Sequence, residues 1–331
     1  MGAIYEQAEL TIIAAAGIDE NHGLPGVGRT PRSSQWIAQL HGADVMWTPD
    51  PHYSIRSSKW STRGWTFQEG LLSRRRLAFT EDQVYFECKA MNCFESMGSP
   101  LDDMHVEEKT KTLECLRAGV FGRNDRMVFG HVDTHDLGFP QCFVQYWMAV
   151  EEYSARDLRY DADILNAFRG IERDFNRGDT MRGFYGIPFP KVMSWWEEDY
   201  FCLTLAWYHT RSCWEESGAP RRRPGFPSWS WAGWVGQVKF FRRGYEPFGG
   251  VLRPMSLEGD SGTMVLQPSI YDSIPHETDP LRPILRVEGK VLPPSAISYC
   301  GGHISYWLFA GTGAEVNLRS LSVVLNVDTN T

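Results

Sequence analysis

The sequence predicts an α/β fold over residues 1–94, a linker over 95–140, and a region over 141–331 that is helical first and then β-rich. Three observations carry this. A nearly continuous apolar run over 10–16, ended by Gly17, has the length and composition of a strand buried on both faces. A stretch around Trp60 combines helical spacing with a hairpin pattern directly after it. From residue 236 onward, β-type runs are short and cut by Gly and Pro.

Taken in order, Ile4, Tyr5 and Ala8 suit the last turns of a helix leading into the 10–16 strand. A turn-rich loop follows, Asp19-Glu20-Asn21-His22-Gly23-Leu24-Pro25. Short strands are expected around 36–40 and 45–48. Ser58 is suited to N-cap a helix whose face is Trp60, Gly64, Phe67 and Leu71, at i, i+4, i+7 and i+11. Trp65, Glu69 and Leu72 lie on a neighbouring face. Arg74, Arg75 and Arg76 fall at the negative end of that helix. Strands at 77–80 and 84–88 then form a hairpin around Glu81-Asp82-Gln83.

In the second region Phe143, Trp147, Val150, Ser154 and Leu158 keep helical spacing. Asp161 or Asp163 is placed to cap a helix with the stripe Ile164, Phe168, Ile171 and Phe175. A further helix is expected over 191–208. Trp229, Trp231 and Val235 alternate like a strand, with Gly233 marking a bulge beside Trp234. Strands follow near 238–241, 263–267, 284–287, 303–309 and 320–327.

Composition narrows the function. The 13 Trp point to large buried aromatic faces before stacking surfaces. A net charge of -8 provides no electrostatic drive towards nucleic acid. Seven Cys, with no CxxC pair, no signal peptide and no long apolar run, suit a reducing cytoplasmic setting without a membrane segment.

The run Trp60-Ser61-Thr62-Arg63-Gly64-Trp65-Thr66-Phe67-Gln68-Glu69-Gly70-Leu71-Leu72-Ser73-Arg74 resembles the signature of the fungal heterokaryon-incompatibility (HET) domain. That signature is a Trp, an Arg-Gly/Ala-Trp-Thr-x-Gln-Glu block, a Leu-Ser-x-Arg, and a hairpin ending near Glu-Cys. Gly23-Leu24-Pro25 matches as well. So do Glu151-Glu152-Tyr153-Ser154-Ala155-Arg156-Asp157-Leu158 and Pro227-Ser228-Trp229-Ser230-Trp231-Ala232-Gly233-Trp234, which resemble segments found downstream of HET domains. The resemblance implies non-self recognition and programmed cell death through assembly with protein partners. The family's Leu-Ser-Tyr-x-Trp-Gly and Leu-Cys-Ile-Asp-Gln motifs do not occur, so an incomplete HET domain lacking its N-terminal part is expected. Remote similarity of HET to TIR domains implies a TIR-like α/β fold. It also makes Glu69 a candidate catalytic carboxylate, with NAD as candidate substrate.

The chemistry of that step needs one carboxylate to stabilise an oxocarbenium-like state or hold a ribose hydroxyl, and an aromatic wall such as Trp60 or Trp65 to hold the ring. The competing role for Glu69 is an ion pair with Arg63 or Arg75 that fixes helix against hairpin. Other candidates reduce to structure. His131 to Asp136 resembles a metal cluster but reads as a loop, and no metal is expected. Gly259-Asp260-Ser261-Gly262 echoes a serine-protease loop, without the His partner, and reads as a turn. Cys88 and Cys93 read as isolated thiols. Trp229, Trp231 and Trp234 read as core rather than as a stacking platform.

Overall fold

The computed structural model describes residues 1–47, 49–88, 91–97, 119–121, 141–177, 181–190, 204–210 and 220–240, and beyond them only strand segments between 252 and 325. The elements of the first part are α1 (Gly2–Gln7), β1 (Thr11–Ala14), β2 (Trp36–Leu40), β3 (Ala43–Trp47), α2 (Pro51–Arg56), α3 (Lys59–Thr62), α4 (Gly64–Leu72), β4 (Arg75–Phe79), β5 (Val84–Cys88) and β6 (Asn92–Phe94). Then come α5 (Gln141–Tyr153), α6 (Arg169–Asn176), β7 (Met181–Phe184), β8 (Ile187–Pro190), β9 (Trp207–His209) and β10 (Val238–Phe240). The chain divides into two compact units: residues 1–178 with 209–220 and 235–239, and residues 179–208 with 221–234 and 240–331. The fold is thus mixed α/β with small sheets.

The first unit is organised on a sheet of order β1-β4-β5-β6. β1 runs parallel to β4, and β4, β5 and β6 are antiparallel neighbours. The hairpin predicted over 77–88 is present, with its first strand starting at Arg75. Ile13, Ala15, Ile55, Ala78, Tyr85 and Val120 form the core against the sheet, joined by Trp60, Phe94 and Phe121. One expectation is corrected here. The 10–16 run is not buried on both faces: Ile13 is buried, whereas Ile12 is 58% exposed, so only one face of β1 is covered by the core.

A second correction concerns the Trp60 helix. Ser58 does cap it, accepting from the Ser61 amide at 3.3 Å. The helix nevertheless stops at Thr62, and Arg63 is extended, with φ -85° and ψ 135°, before α4 begins. Tertiary pairing outweighs helix continuation. The Gly64 amide donates to the Asp157 carbonyl at 2.7 Å, and the Asp157 amide donates to the Thr62 carbonyl at 2.6 Å. The break resets the helical phase, so the buried residues of α4 are Gly64, Thr66, Phe67, Gln68, Gly70 and Leu72 rather than one simple stripe.

The helix expected from Asp161 also starts later. Asp161–Asp163 is a 3-10 turn, residues 164–168 are turns, and α6 begins only at Arg169. The Tyr153 hydroxyl donates to the Ile164 carbonyl at 2.6 Å and holds that turn open. The apolar stripe survives, with Ile164, Phe168 and Ile171 buried. Most of the 191–208 helix and the 131–136 cluster lie outside the described residues, while Trp207 and Tyr208 are strand.

The second unit contains the β7–β8 hairpin and the Trp229 block. The strand expected through that block is absent: Trp231–Gly233 is a 3-10 turn. Trp229 and Trp231 are buried, as the core reading of these residues requires, and Trp234 is half-buried. Further on, β11 (Leu252–Gly259), β12 (Gly262–Val265), β13 (Ile284–Val291) and β16 (Arg319–Leu325) form a sheet of order β12-β11-β13-β16, and β14 (Ser298–Cys300) pairs with β15 (His303–Ser305). Gly259 is registered with Gly262 across β11 and β12, while Asp260 and Ser261 of the protease-like tetrapeptide lie outside the described residues.

Candidate functional site

The residues singled out around Glu69 meet at the joint between α3 and α4. The Trp60 indole N–H donates to Glu69 Oε2 at 3.3 Å. The Tyr5 hydroxyl, carried in by α1, donates to the same carboxylate and its pKa is pushed up to about 12. Burial is the main cause of that shift. The Glu69 charge and hydrogen bond add to it, and Arg63 opposes it. Glu69 is half-buried. The alternative role foreseen for it is corrected: Arg75 pairs with Glu9 at 2.9 Å, and among the described residues Glu69 has no ion pair, with Arg63 or any other cation. Two neutral donors hold the carboxylate instead.

The same joint gathers a segment from ninety residues downstream. Thr66 Oγ1 lies within donating distance of the Trp60 carbonyl, at 2.6 Å, and of the Arg63 carbonyl, at 2.7 Å. Arg156 donates to Thr66 Oγ1 at 3.3 Å and lies over the Phe67 ring, 4.7 Å from its centroid. Tyr153 stands 5.7 Å from the same ring. Gly64 is needed by this approach, because a Cβ there would sit 2.5 Å from Leu158 Cδ2 and 3.3 Å from the Asp157 carbonyl oxygen. The two motifs read separately in the sequence therefore form one joint.

Behind α4, the Ser73 hydroxyl donates to the Glu69 carbonyl at 2.5 Å, and Arg76 closes the helix end. Its guanidinium donates to the Gly70 carbonyl and, at 3.1 Å, to that of Leu71. The cation is thus at the negative helix end as expected, although it projects from β4. Arg76 is buried, and its charge faces Glu87 at 3.9 Å. Glu87 also accepts from the Tyr85 hydroxyl at 2.7 Å and the Phe121 amide at 3.2 Å. Burial and Glu87 push the Tyr85 pKa well up, and burial pulls that of Arg76 down. The sequence reading missed this cluster. Its signal was a single acid, Glu87, in an otherwise apolar strand, at the position that the hairpin register sets opposite Arg76.

An open cleft of ≈ 520 Å³ borders the joint, with Trp60, Phe121, Met148, Glu152, Arg156 and Gln237 among its walls. Trp60 and Phe121 meet edge to face at 5.9 Å. Glu69 and Trp65 do not line it. Two Arg and two Glu in the lining balance one another, so these walls do not select a polyanion. Gln68 is buried, with no hydrogen-bond partner for its Nε2 among the described residues, whereas Arg63 and Arg74 are exposed. Trp229, Trp231 and Trp234 belong to the second unit. The Trp231 and Trp234 indoles donate to the Gly186 carbonyl at 2.7 Å and the Ser228 carbonyl at 2.9 Å, so both polar edges are consumed internally.

Residues 1–69 match the family model described as heterokaryon incompatibility protein (HET). Over this stretch the chain is similar to HET domains. The match ends at Glu69 and so includes α1 with Tyr5, the α3–α4 joint, and the carboxylate itself. No similarity to a curated protein or to a solved structure was found. Among the described residues no helix is long and apolar enough to cross a membrane.

The Tyr5 contact makes stability alkaline-sensitive. Tyr5 holds its proton up to about 12 in the fold, against about 10 when unfolded. Its contribution is therefore fully present below pH of about 10 and is lost as pH rises towards 12. Urea midpoints measured across this range are expected to fall less steeply in Tyr5→Phe than in the parent chain. Equal slopes would remove Tyr5–Glu69 as a stabilising contact.

Proposed function

We propose that this chain acts in fungal non-self recognition and programmed cell death, in the cytoplasm, with its HET segment serving as an assembly module rather than an enzyme. The observation that carries the reading is the state of Glu69. Its carboxylate is engaged by the Trp60 indole and the Tyr5 phenol, and it lies off the cleft. A carboxylate tied in this way positions α1 and α3 against α4. The family match supports the biological setting.

The alternative is a TIR-like enzyme that cleaves NAD with Glu69. What favours it is that Trp60 both holds Glu69 and walls the cleft. The two readings separate in one pair of assays. Purified full chain is incubated with NAD, and the parent and Glu69→Gln chains are expressed in a filamentous fungus and scored for growth arrest. Assembly predicts no NAD turnover and intact arrest in Glu69→Gln. NAD turnover that disappears in Glu69→Ala, with unchanged circular dichroism, would establish the enzyme and end the assembly reading.

A further inference from the structure

We infer that the β2–β3 hairpin of the first unit is a self-association arm, and that its occupant is the same hairpin of a second copy of this chain. The inference deepens the assembly reading above and rests on it for biological meaning. The hairpin is a two-stranded sheet of its own, registered Trp36 with Trp47, Ile37 with Met46, Ala38 with Val45, Gln39 with Asp44 and Leu40 with Ala43. His41 and Gly42 both have positive φ, 52° and 82°, the two-residue turn that matches strand twist. Residues opposite one another share a face. One face therefore carries Trp36, Trp47, Ala38, Val45, Leu40 and Ala43 and holds no charged group. Every residue of both strands is exposed, with Trp36 at 79%, Trp47 at 64% and Leu40 at 60%. On the other face the Gln39 amide donates to Asp44 at 2.9 Å.

An isolated two-stranded sheet is marginal in water, and an exposed apolar patch of this kind marks a contact surface. The chemistry of the face narrows the occupant. Without a charge or a side-chain donor, apart from the indole edges, it has nothing to select an acidic, basic or phosphorylated partner. Its relief is graded, with two indoles at the base and Leu40 and Ala43 at the tip. A two-fold axis lying in the plane between two such faces, at right angles to the strands, sets the indole pair of each copy over the shallow tip of the other, which is self-complementary packing. The face exposes on the order of 500 Å² of apolar side chain per copy, taking about 150–250 Å² for each aromatic. A stable interface needs about 800 Å² per partner. A second copy on this face alone thus gives a reversible dimer, which suits an assembly triggered by local concentration.

Sedimentation velocity of the full chain from about 1 to about 100 μM tests this, a range in which an interface of this size should titrate. The average mass is expected to climb from 37.8 kDa towards twice that value. Leu40→Lys with Val45→Lys should move the midpoint at least tenfold upward, and so should Trp47→Thr, which retains strand preference. Gln39→Lys, on the other face, should leave it in place. All four positions are exposed, so unchanged far-ultraviolet circular dichroism is expected throughout. A constant monomer mass overturns the inference, as does association that ignores the two face variants. Binding of the monomer to phosphatidylcholine vesicles, abolished by the same variants, would assign the face to lipid and overturn it as well. Growth arrest is read separately. A dimer whose disruption leaves arrest intact refutes the proposed function and keeps the surface, while arrest without any dimer does the reverse.

Discussion

Glu87→Ala is expected to lower stability by about 3 kcal/mol, the low end for breaking a buried charge pair by removing one partner. The site is a carboxylate 3% exposed at the centre of the first unit. Alanine would leave the Arg76 guanidinium facing an empty apolar space and would strip acceptors from the Tyr85 hydroxyl and the Phe121 amide. The low end is chosen because the charges are 3.9 Å apart and Arg76 retains the Gly70 and Leu71 carbonyls. Glu87→Gln keeps an acceptor for Tyr85 and should lose less than half as much. Urea unfolding of the three chains decides it, and a loss under about 1 kcal/mol in Glu87→Ala would show that Arg76 is supported without Glu87. The effect reaches beyond the hairpin, because Arg76 closes the end of the helix that carries Glu69.

What the sequence made legible was mostly local. The Ser58 cap, the hairpin of β4 and β5 and the cation at the end of α4 follow from spacing and residue type within a few positions. The arrangement of the site was not local. Arg63 sits mid-pattern in a good helical periodicity, and only backbone bonds to Thr62 and Gly64 from residue 157 break it. Periodicity cannot report a partner ninety residues away. The same holds for Glu69, whose nearest cations in sequence are arginines but whose partners are an indole and a phenol brought in by α3 and α1. β11 was missed for a different reason. It contains Pro254, which removes a ladder donor, and the strand accommodates it with a register shift between Pro254 and Ser256.

The Trp229 block shows how a signal can be strong and its geometry still unreadable. Trp231 is 1% exposed and looks from the sequence like an inward strand residue. Its burial comes instead from a 3-10 turn that lays the indole on Gly186, in the turn between β7 and β8. Gly186 has φ of 77°, and a Cβ there would meet three ring atoms of Trp231 at 2.7–2.8 Å. The ring is rigid, and its N–H is already donated to the Gly186 carbonyl, so it has no rotamer into which to retreat without losing that bond. Gly186→Val should therefore incur both a left-handed backbone penalty of about 1–2 kcal/mol and overpacking of about 1–3 kcal/mol. Trp231→Phe, which removes the indole donor but keeps an apolar ring, should cost less, on the order of 1–2 kcal/mol. The combination is the informative chain. If the two residues act through their contact, Gly186→Val with Trp231→Phe is less destabilised than the sum of the single changes, because the smaller ring yields space to the new side chain. Strict additivity in thermal or urea unfolding would mean that the glycine is required by backbone conformation alone and that the indole stack contributes nothing to its selection.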